Sequence, residues 1–379
     1  MANDIVYQRG VLPLGPTVGL AAESQGISIW TVDPDTLEPM HVRVTPDDTA
    51  FNIMPSWSPD RDKIVFGSNR GEAGVGLLPN LNIWTVNRDG SDLWQLTSDA
   101  GDNFTPSWSP NGRYIAFSSN RLYALNRGSF AEFEMYDLWI MGADGTNPRL
   151  LHAGPSVDDD PVFSADSQRI LFRRNTADQI PEIWVVPTDG SMPAQPLKDV
   201  TGQTVVGEDP SLSEDGKTLY YWRDPFLVSF DLIAATETLL SPDALEPWIG
   251  PNKERFVFHR IDFSGGTRAP DVFISSLDGS NVNRITNTGD AMFGRWSAPA
   301  PQPFCEVQSN QAVYVTGEPI VLTSLRFANM NAVVAPDMRL RLQLLFGTLV
   351  VNNLLDLGPA MLPPGLDFNA GPLPLFTVQ

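Results

Sequence analysis

The sequence predicts an all-β fold: a six-bladed β-propeller closed by strands from both ends of the chain, followed by a small C-terminal β-sandwich-like segment. Three observations predict it. A short motif recurs six times, each copy opens a group of strand-like segments, and the strands that the last group lacks are found at the N-terminus. Self-similarity with a period of roughly 50 residues is typical of repeat architectures.

The repeated motif predicts the first strand of each unit. Its two best copies read Pro-Ser-Trp-Ser-Pro-Asp at residues 55–60 and Pro-Ser-Trp-Ser-Pro-Asn at residues 106–111. Weaker copies follow at residues 160–166, 209–216, 246–252 and 294–297. Because Ser, Pro and Asp or Asn favour turns, each copy is interpreted as a strand that leads into a tight turn.

Three further series of strands follow the motif. Runs of branched and aromatic residues come directly after it and predict a second strand, as at residues 64–66 and 115–117. A third series, built around pairs such as Ile83-Trp84, leads in four of five units into an Asp-Gly turn, which tolerates the positive φ of a tight hairpin. A fourth strand, as at residues 93–97, completes a four-stranded antiparallel sheet.

The two ends of the chain are predicted to share the sixth sheet. Trp296-Ser297 supplies a first strand, but the second, third and fourth strands of its repeat do not follow it. The N-terminus supplies three strands that fit those places, at residues 5–7, 29–30 and 41–44. Joining them closes a ring in which only short outer edges stay open, as in propellers. Closure also removes edges that would otherwise favour aggregation.

The complete pattern resembles the repeat of TolB-type six-bladed propellers, also called the WD40-like or PD40 repeat. The resemblance covers residues 1–302; blades one and two match it closely, and blade four departs most, because residues 231–238 lack the Asp-Gly hairpin. It is specific for the fold and implies little about function, since propellers serve many roles. Relatives of this type are mostly exported, so the resemblance implies a periplasmic or extracellular protein, although the first residues taken literally indicate the cytoplasm because they lack a secretory signal.

Composition excludes several classes of function. The net charge of −20 over 379 residues makes nucleic acid an unfavourable partner and basic peptides or cations favourable ones. No apolar run reaches the length of about 18 residues that a membrane span needs. A single cysteine, Cys305, excludes disulfides within the chain and cysteine metal clusters.

The residues after the ring, 303–379, form a separate predicted domain. A proline-rich connector at residues 299–303 precedes strand-like segments, which show a general resemblance to an immunoglobulin-type or macroglobulin-like sandwich. Such a sandwich needs about seven strands in roughly 100 residues, so this domain is expected to be incomplete. Either the chain is cut short or a partner donates a strand, and in both cases self-association through this domain is a candidate role.

One face of the propeller carries the long loops and is the candidate for function. These loops connect second to third strands, at residues 71–81, 121–136, 173–181 and 261–270. The longest contains aromatic residues of the kind enriched at interface cores, which we take as candidate binding anchors: Tyr123, Phe130, Phe133 and Tyr136. The alternative is that these rings fold back and seal their own blade.

Acidic residues gather where the first strands begin, and first strands line the channel of a propeller. The candidate binding residues of this acidic collar are Asp159, Asp160, Glu208 and Asp209, with Asp102, Asp158, Glu246 and Asp290 nearby in the same pattern. They are predicted to receive a basic peptide, or a hard cation such as calcium, for which Asp158, Asp160 and Asp209 are the candidate ligands. The alternative is that each aspartate bonds the backbone of its own turn.

The sequence contains little that indicates catalysis. The three histidines, His41, His152 and His259, fall in different blades with no partner carboxylate evident, and no Gly-x-Ser-x-Gly elbow occurs. The favoured hypothesis is therefore a non-catalytic protein-binding propeller. The alternatives are a metal-dependent hydrolase or lyase acting at the channel mouth, and a structural protein that assembles through its C-terminal β domain.

Overall fold

The computed structural model describes the propeller residues 4–10, 26–35, 40–71, 80–99, 101–122, 135–154, 156–176, 178–213, 216–242, 245–250, 254–262 and 269–297, and the C-terminal strands at 304–309, 319–329, 335–346, 349–362, 366–370 and 373–377. Among these residues no helix is long and apolar enough to span a membrane. The chain divides into two compact units, residues 1–299 and 300–379.

The first unit is built from six four-stranded antiparallel sheets. The N-terminal strands are β1 (Ile5–Arg9), β2 (Ser28–Val32) and β3 (Val42–Arg43). Blade one contains β4 (Asn52–Trp57), β5 (Lys63–Ser68), β6 (Asn82–Asn87) and β7 (Trp94–Gln95), and blade two contains β8 (Asn103–Trp108), β9 (Tyr114–Ser119), β10 (Asp137–Gly142) and β11 (Arg149–His152).

Blades three to five continue in the same order. Blade three contains β12 (Val157–Phe163), β13 (Arg169–Asn175), β14 (Pro181–Pro187) and β15 (Gln195–Pro196). Blade four contains β16 (Glu208–Leu212), β17 (Thr218–Arg223), β18 (Phe226–Asp231) and β19 (Thr236–Pro242). Blade five contains β20 (Leu245–Ile249), β21 (Arg255–Asp262), β22 (Ala269–Ser276) and β23 (Asn283–Arg284).

Blade six joins the two ends of the propeller, as the sequence predicts. Its strand order is β24 (Ala291–Trp296), β1, β2 and β3, with Ile5 opposite Trp296 in antiparallel register. The Ser297 amide donates to the Asp4 carbonyl at 2.7 Å, and the Gly10 amide donates to the Asp290 carbonyl at 2.8 Å. These backbone bonds close the ring with the same ladder that holds every other blade together.

Adjacent blades are held together by apolar cores. The described residues form six clusters of buried side chains, and each cluster combines residues from two neighbouring blades. The second strands supply fully buried residues to them, such as Ile64, Phe66 and Ile170. Because burial of an aliphatic or aromatic side chain contributes about 1.5–3 kcal/mol, the interfaces between blades are a principal source of stability.

Blade four is more regular than its sequence indicates. Although residues 231–238 lack the Asp-Gly hairpin, β19 spans seven residues and pairs along β18. The hairpin uses Asp231 in place of an Asp-Gly pair, since its carboxylate accepts hydrogen bonds from the Ile233 and Ala234 amides at 2.8 Å each, and Ala235 takes the positive φ of 53°. A capped four-residue turn thus replaces the shorter one.

The second unit also consists of β-strands. Strand β26 (Pro319–Asn329) pairs with β25 (Phe304–Ser309) on one side and with β29 (Leu366–Ala370) and β30 (Leu373–Thr377) on the other, while β27 (Ala335–Phe346) and β28 (Leu349–Leu362) form a two-stranded sheet. The last strand therefore finds a partner within its own unit. The immunoglobulin-type arrangement and the boundary at residue 303 stay predictions.

Candidate functional site

The first strands of the six blades contact one another in a closed ring around the axis. Each contains one residue with a positive φ, between 46° and 54°: Met54, Thr105, Asp160, Asp209, Glu246 and Phe293. We call these six the ring residues. Positive φ is rare for residues other than glycine, and in most of these strands the register shifts at the same place, as at a β-bulge, which redirects a side chain.

All six ring residues line a single cavity of about 290 Å³ on the axis. It lies where the first strands begin and where the second strands end, because Arg173, Trp222 and Ile261 come from the last residues of β13, β17 and β21. This is the end of the propeller at which the loops from second to third strands emerge. The further lining residues that carry charge or an aromatic ring are Phe104, Asp159, Glu208, Trp248, His259 and Arg295.

Arg173 binds acidic residues of two blades. Its Nε donates to Asp159 Oδ1 and its Nη1 to Glu208 Oε2, both at 2.6 Å, and Asp160 Oδ2 lies 3.9 Å from Nε. Asp159 belongs to β12 in blade three and Glu208 to β16 in blade four, so the guanidinium ties these blades together at the channel. Although burial alone lowers the pKa of a guanidinium, the Asp159 carboxylate raises the pKa of Arg173 overall.

Carboxyl groups outnumber guanidinium groups in the cavity. Among the described residues, its lining contains five carboxyl groups, from Asp159, Asp160, Glu208, Asp209 and Glu246, and two guanidinium groups, from Arg173 and Arg295. Burial raises the pKa of Asp159 to about 6, against the opposing effect of Arg173. Burial, and then the neighbouring carboxylates, raise the pKa values of Asp209 and Glu246 well above their usual range. These carboxyl groups are therefore poised to lose protons when a cation arrives.

The blade five and blade six side of the cavity contains an arginine stacked on an indole ring. Arg295 Cζ lies 4.2 Å from the ring centroid of Trp248, and burial lowers the pKa of Arg295. His259 is buried beside them, with its Nδ1 3.8 Å from Glu246 Oε2 and its ring 5.7 Å from that of Phe293. We expected the histidines to have no partner carboxylate. This is wrong for His259, which the pairing of β20 with β21 brings beside Glu246, and for His152, whose Nε2 lies 3.9 Å from Asp158 Oδ2.

The acidic collar predicted from the sequence divides into two groups. Asp159, Asp160, Glu208 and Asp209 do converge on the cavity, together with Glu246. Asp158 lies outside the cavity lining: it is fully buried, 3.7 Å from Arg174 and 3.9 Å from His152, and burial raises its pKa to about 8.

Asp102 and Asp290 also serve local structure. Asp102 accepts a hydrogen bond from the Leu81 amide at 3.0 Å, and Asp290 pairs with Arg9 at 3.2 Å. Because Asp158 lies outside the cavity lining, the three predicted calcium ligands Asp158, Asp160 and Asp209 do not line one site. Within the described ranges, no group of three or more His, Cys, Asp or Glu side chains is arranged to hold a metal ion.

Of the four predicted aromatic anchors, Tyr123, Phe130 and Phe133 lie outside the described residues. Tyr136 packs edge-on against Phe104, with ring centroids 4.6 Å apart at 80°, and Phe104 lines the cavity. The backbone carbonyl of Tyr136 accepts a hydrogen bond from the Asp158 amide at 2.8 Å, which joins blade two to blade three. Tyr136 is thus part of the wall behind the cavity lining.

The basic and aromatic residues of the cavity were not predicted from the sequence. We predicted that Arg173 begins a loop, but the structure continues β13 to Asn175, where Arg174 and Asn175 pair with Glu182 and Pro181 of β14. Arg295 lies in the weakest copy of the motif. The signal that was present is positional: the residue before the proline of each copy is a ring residue, and in blade six Gly294 replaces that proline.

The chain matches no protein-family model. It is 28% identical over 163 residues to the Tol-Pal system protein TolB of Anaeromyxobacter dehalogenans (strain 2CP-C), an alignment that covers 43% of this chain and 33% of that protein. TolB of Anaeromyxobacter sp. (strain K) is 27% identical over the same length. The chain therefore spans about a third of the length of the curated relatives it matches.

Among solved structures, TolB from Acinetobacter baumannii superposes with a TM-score of 0.59 at 16% identity, covering 78% of this chain and 66% of that one. The fold is a TolB-like six-bladed propeller. Hydrazine synthase of Kuenenia stuttgartiensis superposes almost as well, with a TM-score of 0.57 at 16% identity over 80% of this chain and 48% of that one. Because proteins of unlike function share this shape, the structural likeness of the TolB-like propeller shows its fold alone.

Proposed function

We propose that this TolB-like propeller is a non-catalytic protein-binding module whose channel receives a basic segment of a partner protein. The observation that carries the proposal is the composition of the cavity, where, among the described residues, five carboxyl groups face two guanidinium groups. Ionising these buried carboxyl groups together is unfavourable unless opposite charge compensates them. A lysine or arginine side chain supplies that charge, and the overall charge of −20 attracts such a partner over longer distances.

The face with the loops from second to third strands is the proposed docking face, because the cavity lies at that end of the channel. Loops on a rigid scaffold are where binding residues usually lie. We propose that Tyr123, Phe130 and Phe133, in the segment between β9 and β10, supply apolar contacts to the partner. Similarity to Tol-Pal system proteins supports a role with protein partners, and we propose a periplasmic or extracellular location on the same ground.

The proposal is tested with an amidated peptide of alternating arginine and glycine, titrated calorimetrically at low and high salt. The test variant is Asp209→Asn/Glu246→Gln, which removes two carboxyl groups that a bound cation would ionise. Its matched control, Asp144→Asn/Asp278→Asn, removes two exposed charges from Asp-Gly turns on the opposite face. We expect binding to fall at least tenfold in the test variant and less than twofold in the control. Equal affinity of both variants contradicts the proposal.

The same titration separates a peptide from a metal ion as the occupant. Calcium chloride is titrated alone, and the peptide is titrated with and without a chelator. Peptide binding that persists in the chelator, and calcium binding too weak to saturate at millimolar concentration, are the expected results. Peptide binding that requires calcium contradicts a direct role for the carboxylates.

The contribution of Tyr123, Phe130 and Phe133 is tested by deleting residues 123–134 and joining the two ends with two glycines. Arg121 and Tyr136 must be kept, because Arg121 stacks 4.4 Å over Trp139 and Tyr136 packs on Phe104. We expect the variant to fold and to lose affinity for a natural partner while it retains affinity for the short basic peptide. Loss of the peptide as well would place the loop, and not the channel, at the centre of binding.

A further inference from the structure

The ring residues share one backbone conformation but differ in chemistry from one side of the channel to the other. Blades three, four and five contribute Asp160, Asp209 and Glu246. Blades six, one and two, which are also consecutive, contribute Phe293, Met54 and Thr105. Equivalent positions in equivalent strands therefore divide the cavity into an acidic half and a half without acidic ring residues. We call the second the apolar half because Met54, Phe104 and Phe293 line it, and the Thr105 hydroxyl there is hydrogen-bonded to Ser118 Oγ at 2.9 Å.

The apolar half keeps uncovered surface toward the cavity. Met54, Phe104 and Phe293 are each only half-buried, and they belong to none of the six cores formed by the described residues of neighbouring blades. Apolar side chains that line a pocket beside a few placed polar groups are the usual composition of a ligand site. This observation is independent of the carboxylates and indicates a ligand that has an apolar part.

The position two residues after each ring residue limits how far a ligand extends. Four blades carry small or medium side chains there, namely Ser56, Ser107, Val162 and Ser211, whereas blades five and six carry the stacked pair Trp248 and Arg295. Both residues of that pair line the cavity. A cavity of about 290 Å³ is at the lower limit for a ligand pocket, so it has room for one or two side chains and not for a chain that threads through.

We propose, on the basis of the function proposed above, that the channel recognises a pair of adjacent side chains in a partner protein: one arginine or lysine and one apolar or aromatic residue. The cationic group lies against Asp160, Asp209 and Glu246. The apolar side chain lies against Phe293 and Met54. This division fixes the orientation of the partner around the channel axis, because only one rotation satisfies both halves.

Three capped peptides of the form Gly-Gly-X-Y-Gly-Gly test the inference, with Arg-Phe, Arg-Gly and Gly-Phe at the central pair. Binding is followed by NMR through the indole N–H signals of Trp222 and Trp248, which line the cavity. The variants are Asp209→Asn for the acidic half and Phe293→Ala for the apolar half. Far-ultraviolet circular dichroism and the urea midpoint check that each variant is folded.

We expect the Arg-Phe peptide to bind at least tenfold more tightly than either of the others. Asp209→Asn should weaken both arginine peptides by similar factors and leave Gly-Phe unchanged, whereas Phe293→Ala should weaken both phenylalanine peptides and leave Arg-Gly unchanged. If Phe293→Ala does not fold, Met54→Ala replaces it and must give the same pattern. Each half of the ring then recognises its own side chain.

Different failures point to different conclusions. If Arg-Phe binds no more tightly than Arg-Gly, and both depend on Asp209, the channel binds basic segments but the paired recognition is wrong. If arginine amide or spermidine binds as tightly as Arg-Phe, the ligand is a free cation and the inference is overturned. If no peptide binds at millimolar concentration, the inference and the proposed function fall together.

Discussion

Replacing Arg173 by methionine removes the guanidinium that ties blades three and four together at the channel. Its partners Asp159 and Glu208 stay in place, so the cavity then holds five carboxylates and a single arginine. Removal of one partner from a buried ion pair costs about 3–5 kcal/mol. Because the Arg173 side chain is 20% exposed, we expect the lower end of this range, about 3 kcal/mol, at pH 8.

The cost should depend on pH in a defined direction. The pKa of Asp159 in the folded protein, about 6, is already above its unfolded value, and loss of the opposing charge raises it further. For a carboxyl group raised in this way, the stability it contributes is fully present below the unfolded pKa, near 4, and is lost as the pH rises through the folded pKa. The deficit of Arg173→Met should therefore be small at pH 4.5 and full at pH 8.

The assay is urea unfolding followed by tryptophan fluorescence at both pH values. The control is Arg255→Met, which breaks an exposed pair with Asp35 and should cost less than about 1 kcal/mol at either pH. Adding Asp159→Asn to Arg173→Met should recover part of the loss at pH 8. An equal loss at pH 4.5 and pH 8, or no recovery in the double variant, would refute the electrostatic explanation and leave only lost packing.

Two further changes test buried positions other than the carboxylates of the cavity. The stability of the Asp158→Asn variant relative to the wild type should increase as the pH rises from 5 to 9, because burial raises the pKa of Asp158 to about 8 and asparagine stays neutral. Melting temperatures of both proteins at both pH values check this, and a pH-independent difference would contradict it. Gly294→Ala should lower the free energy of unfolding by about 1–3 kcal/mol, because an added Cβ would lie 2.7 Å from Cγ2 of the fully buried Val257. A urea midpoint equal to that of the wild type would show that the core adjusts.

The fold was predictable because local signals recur in every blade. The motif, the apolar second strand and the Asp-Gly turn each follow from nearby residues, and even the closure of the ring followed from counting strands at both ends. Blade four shows the limit of this reasoning, since Asp231 caps its hairpin without the expected dipeptide. More than one local sequence forms a tight turn, so the lack of an Asp-Gly pair does not mean that the strand after the turn is absent.

The site was predictable only in part, because it forms by convergence of residues far apart in the chain. Asp160 and Asp209 are recognisable from their place before a proline in the motif. Arg173 comes from a second strand and Arg295 from a degenerate copy, so neither carries a local signal. Whether an aspartate bonds its neighbours, as Asp158 does, or faces the channel depends on the bulge that rotates the strand at that residue.

The most direct test of the channel as a binding site is a crystal structure of the protein with the Arg-Phe peptide. The guanidinium of the peptide should lie within hydrogen-bonding distance of Asp209 or Glu246, with its phenylalanine ring against Phe293. Peptide density confined to the outer edges of the blades, with the cavity filled only by water, would contradict the proposal.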